Sequence, residues 1–160
     1  MITDAQGNLL QSDAEALVNA VNTVGVMGKG IALQFARAFP AMLANYEKAA
    51  QRGDVRLGEM NVWANDAMSG PRWIINFPTK GHWRAGSRLA DIKSSLVDLV
   101  RVCRSLRIAS IAVPPLGCGN GGLAWDDVRP LIEKALAEVP ELDVRLYPPE
   151  LTSGALLDKR

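Results

Sequence analysis

The chain has 160 residues, 48% of them hydrophobic and 22% charged, a balance that suits one globular domain and excludes a disordered or fibrous chain. Eighteen Lys and Arg against seventeen Asp and Glu leave a formal net charge of +1. That excludes a broadly basic nucleic-acid coat and an acidic solvating tail, so an anionic partner has to be gripped locally.

Two cysteines, Cys103 and Cys118, and a single histidine, His82, make neither a disulfide framework nor a four-ligand metal centre; no metal is expected. The N-terminus has no basic region followed by an apolar run, and no stretch approaches the roughly 18 apolar residues of a membrane span. A reduced, cytoplasmic setting without a membrane partner is the expectation.

In chain order, Leu17 to Asn22 reads as a buried strand ending in polar residues, and Ile31 to Phe39 has helical apolar spacing. Pro40 opens a further helix at its first turn, where a missing N–H costs nothing, and Gly53 closes it. Glu59 to Trp63 and Trp73 to Phe77 are short, apolar and bounded by turns, so both are expected as strands. Leu89, Ile92, Leu96, Leu99, Val100 and Cys103 share one helical face, with Ser87 as the expected cap. Ser110 to Val113 is a short buried strand. Trp125, Val128, Leu131, Ile132, Leu136 and Val139 mark a last amphipathic helix, capped by Asp126 and Asp127 and ended by Pro140, before a strand over Asp143 to Tyr147. Strands alternating with helices predict an α/β layered domain over residues 1–150 with a mostly parallel or mixed sheet. Leu151 to Arg160 lacks periodicity and is expected to be a tail or linker stub.

Ligands of open α/β sheets bind at the carboxyl ends of strands. Two glycine-rich loops follow strands here. The first, Asn22-Thr23-Val24-Gly25-Val26-Met27-Gly28-Lys29-Gly30-Ile31, runs into a helix whose N-terminal N–H groups suit an anion. The second is Pro114-Pro115-Leu116-Gly117-Cys118-Gly119-Asn120-Gly121-Gly122, a backbone able to form an anion-binding nest. Neither is a Walker A motif: Thr23 stands where the first glycine is needed, and Gly30 where the magnesium-binding hydroxyl belongs. Two such loops in one small domain point to a diphosphate site, and neutral backbone donors need little net charge. Cys118 has no catalytic partner suggested near it and reads as a small, inert residue in a tight turn.

Gly7-Asn8-Leu9-Leu10, Ala16 to Asn22, Gly28-Lys29-Gly30-Ile31-Ala32 and Pro115-Leu116-Gly117-Cys118-Gly119 together resemble the ADP-ribose-binding macrodomains. Val24 to Phe35, with Asn76-Phe77-Pro78-Thr79-Lys80-Gly81-His82-Trp83, is most similar to the DarG group within them, antitoxin DNA ADP-ribosyl glycohydrolases paired with the toxin DarT. The likeness runs through about residues 2–149. It implies a three-layer α/β/α domain with a central mixed sheet, and ADP-ribose as ligand and product without any cofactor. It further implies removal of ADP-ribose from thymidine bases of single-stranded DNA. DarT is an implied partner, through a C-terminal region beyond this chain; a monomer is expected.

The resemblance also implies residue roles. Asn22 hydrogen-bonds the distal ribose, against a bland reading in which it merely caps its loop. Met27, Gly28, Lys29, Gly30 and Ile31, with Gly117, Cys118, Gly119, Asn120 and Gly121, wrap the diphosphate and ribose. Thr79 joins the substrate contacts. Asn8 replaces the aspartate that many macrodomains use for the adenine amino group, so recognition can shift to the Leu9 N–H, and Tyr147 either stacks on adenine or is a strand-end core aromatic. Lys80 matches the essential lysine of the group and of the terminal ADP-ribose protein glycohydrolase. Desolvation would lower its pKa from about 10.4, favouring attack on the anomeric carbon and a transient Schiff base. A second possibility keeps Lys80 protonated as an electrostatic stabiliser. The protein glycohydrolase carries an aspartate two residues after its Gly-Cys-Gly, where Gly121 stands here.

From Lys80 to Lys93 the net charge is +3, with His82 and Trp83 interleaved among Arg84, Arg88 and Asp91. Trp83, Arg84 and Arg88 are therefore candidates for stacking on and holding single-stranded DNA, against a solvated loop entering a helix. A non-catalytic ADP-ribose reader and a hydrolase of modified proteins are the competing functions; the reader does not need Lys80.

Overall fold

Alternate residues of the central strand face two separate cores, and this decides the architecture. The computed structural model describes residues 1–82 and 84–150. Strand β2 (Ala16–Asn22) sends Ala16 and Val18 to one core and Leu17 and Val21 to the other, and all four are buried. A strand buried on both faces needs helices above and below it. Helices α1 (Gly30–Ala38) and α2 (Pro40–Gln51) supply Phe35, Met42 and Tyr46 to the Leu17 side. Helices α3 (Leu89–Ser105) and α4 (Trp125–Leu136) supply Leu96, Leu99, Val128 and Ile132 to the Val18 side. The expected three-layer α/β/α arrangement follows.

The remaining strands are β1 (Ile2–Asp4), β3 (Asn61–Ala64), β4 (Trp73–Lys80), β5 (Ser110–Val113) and β6 (Asp143–Leu146). Among the described residues the sheet runs β1-β6-β5-β2-β4-β3, and all pairings are parallel except β3 with β4. The mixed sheet was expected. Its centre, β5-β2-β4, aligns the carboxyl ends of three strands, and the chain leaves β2 and β5 through the two glycine loops. Among the described residues no helix is long and apolar enough to cross a membrane.

Several local expectations need correction. Strand β3 starts at Asn61 instead of Glu59. The Glu59 N–H closes a turn on the Arg56 carbonyl, and the Met60 N–H donates to Asp98 on α3 at 2.7 Å, so neither joins the ladder. Strand β4 continues past Phe77 to Lys80. Pro78 has no N–H to give, and the β2–β4 register slips nearby: Val21 lies opposite Pro78, whereas Asn22 lies opposite Lys80. Ser87 is not the cap of α3; Arg88 holds that position without a side-chain bond. Asp126 and Asp127 lie in the first turn of α4, where they complement the helix dipole, and Ala124 is the N-cap. Helix α4 stops at Leu136, because the residue before Pro140 disfavours helix. Val139 stays buried in the turn that follows. Two elements carried no usable pattern: β1, three residues paired with β6, and a 3₁₀ turn at Leu9–Gln11.

Candidate active site

The aligned ends of β2, β4 and β5 open into a cavity of about 450 Å³, inside the roughly 300–1,000 Å³ range of small-molecule sites. Asn22, Gly28, Lys29, Gly30 and Ile31 line it from the first loop, Thr79 and Lys80 from the end of β4, and Gly117, Gly119, Asn120 and Gly121 from the second loop. Residues almost one hundred positions apart in sequence thus meet as expected. Among the described residues the charged side chains lining it are both cations, Lys29 and Lys80, with no carboxylate.

Asn22 organises the first loop. Its Oδ1 accepts from the backbone N–H groups of Val24, Gly25 and Val26 at 3.1, 3.2 and 3.3 Å, while Nδ2 donates to the Val26 carbonyl at 2.7 Å. The single Tyr46 hydroxyl proton is shared between the Asn22 carbonyl (2.8 Å) and Oδ1 (2.9 Å). Loop capping, the bland reading of Asn22, is therefore realised; a ribose is left the second Nδ2 proton. Tyr46 had no motif to mark it. Helical spacing with Met42 and Ala49 told only that it is buried, and a buried tyrosine needs a hydroxyl partner. Burial pushes its pKa up to about 12, so it remains a donor.

Beyond this arc the backbone turns toward the cleft. The first helical bond of α1 runs from the Leu33 N–H to the Lys29 carbonyl, so the N–H groups of Gly30, Ile31 and Ala32 are left at the helix start for an anion. Gly30 adopts φ 56°, a left-handed conformation that glycine permits. Met27 does not line the cavity; it is buried beneath the loop, its sulfur 3.7 Å from Asn19 Nδ2. The same Asn19 amide donates to Asn76 Oδ1 at 3.1 Å, and Asn76 Nδ2 to Asn61 Oδ1 at 3.0 Å, forming a row of amides across β2, β4 and β3.

In the second loop the Cys118 N–H closes a turn on the Pro115 carbonyl at 3.0 Å. The Cys118 side chain packs on the core instead of lining the cavity. Burial pushes its thiol up to about 11, which keeps it unreactive near neutrality. Among the described residues no carbonyl accepts from the N–H groups of Gly119, Asn120 or Gly121.

Lys80 ends β4 with its backbone tied to the first loop. Its carbonyl accepts from the Thr23 N–H at 3.2 Å, and the Thr23 hydroxyl donates to the Gly81 carbonyl at 2.8 Å. Thr23 is a second residue that no motif announced. Partial burial holds the Lys80 ammonium below its ordinary pKa, and the like charge of Lys29 across the cleft adds to this. Arg84 and Arg88 are exposed and outside the cavity; the Arg84 N–H donates to His82 Nδ1 at 3.0 Å. Trp83, the expected stacking face, lies outside the described residues, as do residues 151–160.

The expected adenine contacts are not in the cavity lining. Asn8 caps the 3₁₀ turn, accepting from the Leu10 N–H at 3.0 Å. Leu9 is buried in the α1/α2 core, and Tyr147 packs at the edge of that core.

A strand-end cavity with two glycine loops is one generic arrangement; the family comparison identifies it. A model described as Macro domain matches residues 18–132. The chain belongs to the macrodomain family. This macrodomain is 56% identical, over 98% of its length, to a Mycobacterium tuberculosis protein named DNA ADP-ribosyl glycohydrolase, but it covers 44% of that relative. It thus spans less than half the length of the curated relative. The solved macrodomain of Mycobacterium tuberculosis DarG superposes with a TM-score of 0.93 at 57% identity, covering 94% of this chain and 99% of that one. A structure of Thermosipho africanus DarTG in complex with ADP-ribose superposes with a TM-score of 0.87 at 33% identity, over 92% of this chain and 41% of that one.

Proposed function

We propose that this macrodomain is a DNA ADP-ribosyl glycohydrolase that removes ADP-ribose from thymidine bases in single-stranded DNA and so reverses the action of a DarT toxin. The observation that carries the reading is Lys80: a partly desolvated amine in the lining of a cavity that offers backbone donors and, among the described residues, no acid.

The diphosphate occupies the cleft between the start of α1 and the second loop, which directs the distal ribose toward the Lys80 end of β4. The neutral Lys80 amine attacks the anomeric carbon. A C–N bond to lysine forms as the bond to thymine breaks, and the departing base takes the electron pair and the amine proton. Ring opening yields the Schiff base, and water then adds to it, returning free lysine and ADP-ribose. A pure reader needs the two loops but not a depressed lysine, which favours the enzyme over it.

Turnover of ADP-ribosylated oligonucleotide and of ADP-ribosylated protein, by wild type and by Lys80→Ala, tests this. Release from DNA by wild type alone is expected, together with a borohydride-trapped adduct. Release from neither substrate favours the reader, and full activity in Lys80→Arg overturns the nucleophile.

A further inference from the structure

Ser87 has lost its expected role as a helix cap, yet it sits at a consequential place. It lies seven residues after Lys80, on the basic segment, and its backbone N–H donates to the carbonyl of Gly121 at 2.9 Å. Gly121 lines the cavity. A Cβ on residue 121 would stand 2.3 Å from Ser87 Oγ, 2.9 Å from Ser87 Cβ and 2.5 Å from the Gly117 carbonyl oxygen. A Cβ on Gly117, whose φ is already 75°, would meet Leu123 Cδ1 at 2.8 Å and Ser87 Cβ at 3.2 Å, so Ser87 shares that space with Leu123. The Ser87 side chain therefore fills the space behind Gly121 and part of that behind Gly117. Its hydroxyl is buried with no hydrogen-bond partner among the described residues, so the space it fills is held at a cost in unmet hydrogen bonding.

We propose that Ser87 is a positioning residue: it wedges the second glycine loop against the cavity, ties that loop to the segment bearing Lys80, and reserves position 121 for glycine. This rests on the diphosphate reading of the cleft. A carboxylate on residue 121 requires a Cβ in space held by Ser87 and by the Gly117 carbonyl. The wedge thus excludes an acid from the site, and the cavity lining supplies none elsewhere among the described residues.

The test is a pair of variants and their combination in the whole chain, read by calorimetric titration with free ADP-ribose and by KM and kcat on ADP-ribosylated oligonucleotide. Ser87→Gly removes the wedge but keeps the backbone bond. Affinity for ADP-ribose should fall about fivefold and KM rise in parallel, with kcat held within about twofold. Gly121→Ala should lose more than about twentyfold in affinity. The double variant should recover at least about threefold over Gly121→Ala, because two of the three close contacts belong to Ser87. Thermal unfolding checks that each variant is folded; Ser87→Ala, which keeps the Cβ, should fall between wild type and Ser87→Gly if the latter does not fold. Wild-type affinity in Ser87→Gly, or a double variant no better than Gly121→Ala, overturns the proposal. Since ADP-ribose binding is measured apart from DNA turnover, failure of the hydrolase reading leaves this test intact.

Discussion

On the proposed mechanism one amine, Lys80, carries the chemistry of the cleft, and its charge state decides whether that amine can act. A nucleophile must be neutral, and both burial and Lys29 hold the Lys80 pKa below its ordinary value. On the proposed mechanism kcat/KM rises with pH through the Lys80 pKa. Lys29→Gln removes the like charge, so the midpoint of that rise should move to higher pH; an unmoved pH–rate profile counts against the coupling. Lys80→Ala should lower DNA release by more than about a hundredfold, and Lys80→Arg should not restore it. The guanidinium stays protonated and cannot attack carbon. Single-turnover release of ADP-ribose measures both.

Elements matter because they hold the loops that line the cavity. Helix α2 reaches the first loop through one group, the Tyr46 hydroxyl on Asn22. Tyr46→Phe should cost roughly 1–2 kcal/mol of stability, since buried acceptors lose a donor while Asn22 Oδ1 keeps its three backbone bonds. ADP-ribose affinity should fall with it as the loop loosens, and urea unfolding beside calorimetric titration reads the two effects. The amide row is the sheet-side counterpart. Asn76→Leu leaves the buried Asn19 Nδ2 only its contact with the Met27 sulfur and takes the donor from the half-buried Asn61 Oδ1, with an expected loss of roughly 1–3 kcal/mol. Wild-type stability of this variant would mean that the row contributes nothing. Neither Tyr46 nor the row was legible beforehand. Periodicity says which face of an element is buried, but not which polar atom on another element it will meet.

For the molecule as a whole, the near-zero net charge implies selective rather than bulk electrostatics. Positive charge is gathered in the segment from Lys80, which lines the cleft, to Lys93, while the glycine loops offer mainly neutral N–H groups beside Lys29. Binding of single-stranded substrate should therefore weaken with salt, at a slope of about −0.7 per phosphate neutralised and for only a few phosphates. Fluorescence anisotropy against salt concentration gives that slope, and salt-independent affinity would contradict a DNA contact there.

Much of this was readable along the chain, because the signals are local. The apolar run from Leu17 into Asn22, helical spacing from Leu89 to Cys103 and glycines after two strands each depend on neighbours within a few residues. Those patterns yield the layers and the two loops, whereas Lys80 is a candidate only through the family resemblance of Asn76-Phe77-Pro78-Thr79-Lys80. Folding decided the rest. The slip beside Pro78 sets Asn22 opposite Lys80, Thr23 staples Gly81, and Ser87 lies behind Gly121 instead of capping a helix. Each of these joins segments well separated in sequence, where the strand order β5-β2-β4 chooses the neighbours and no local period can.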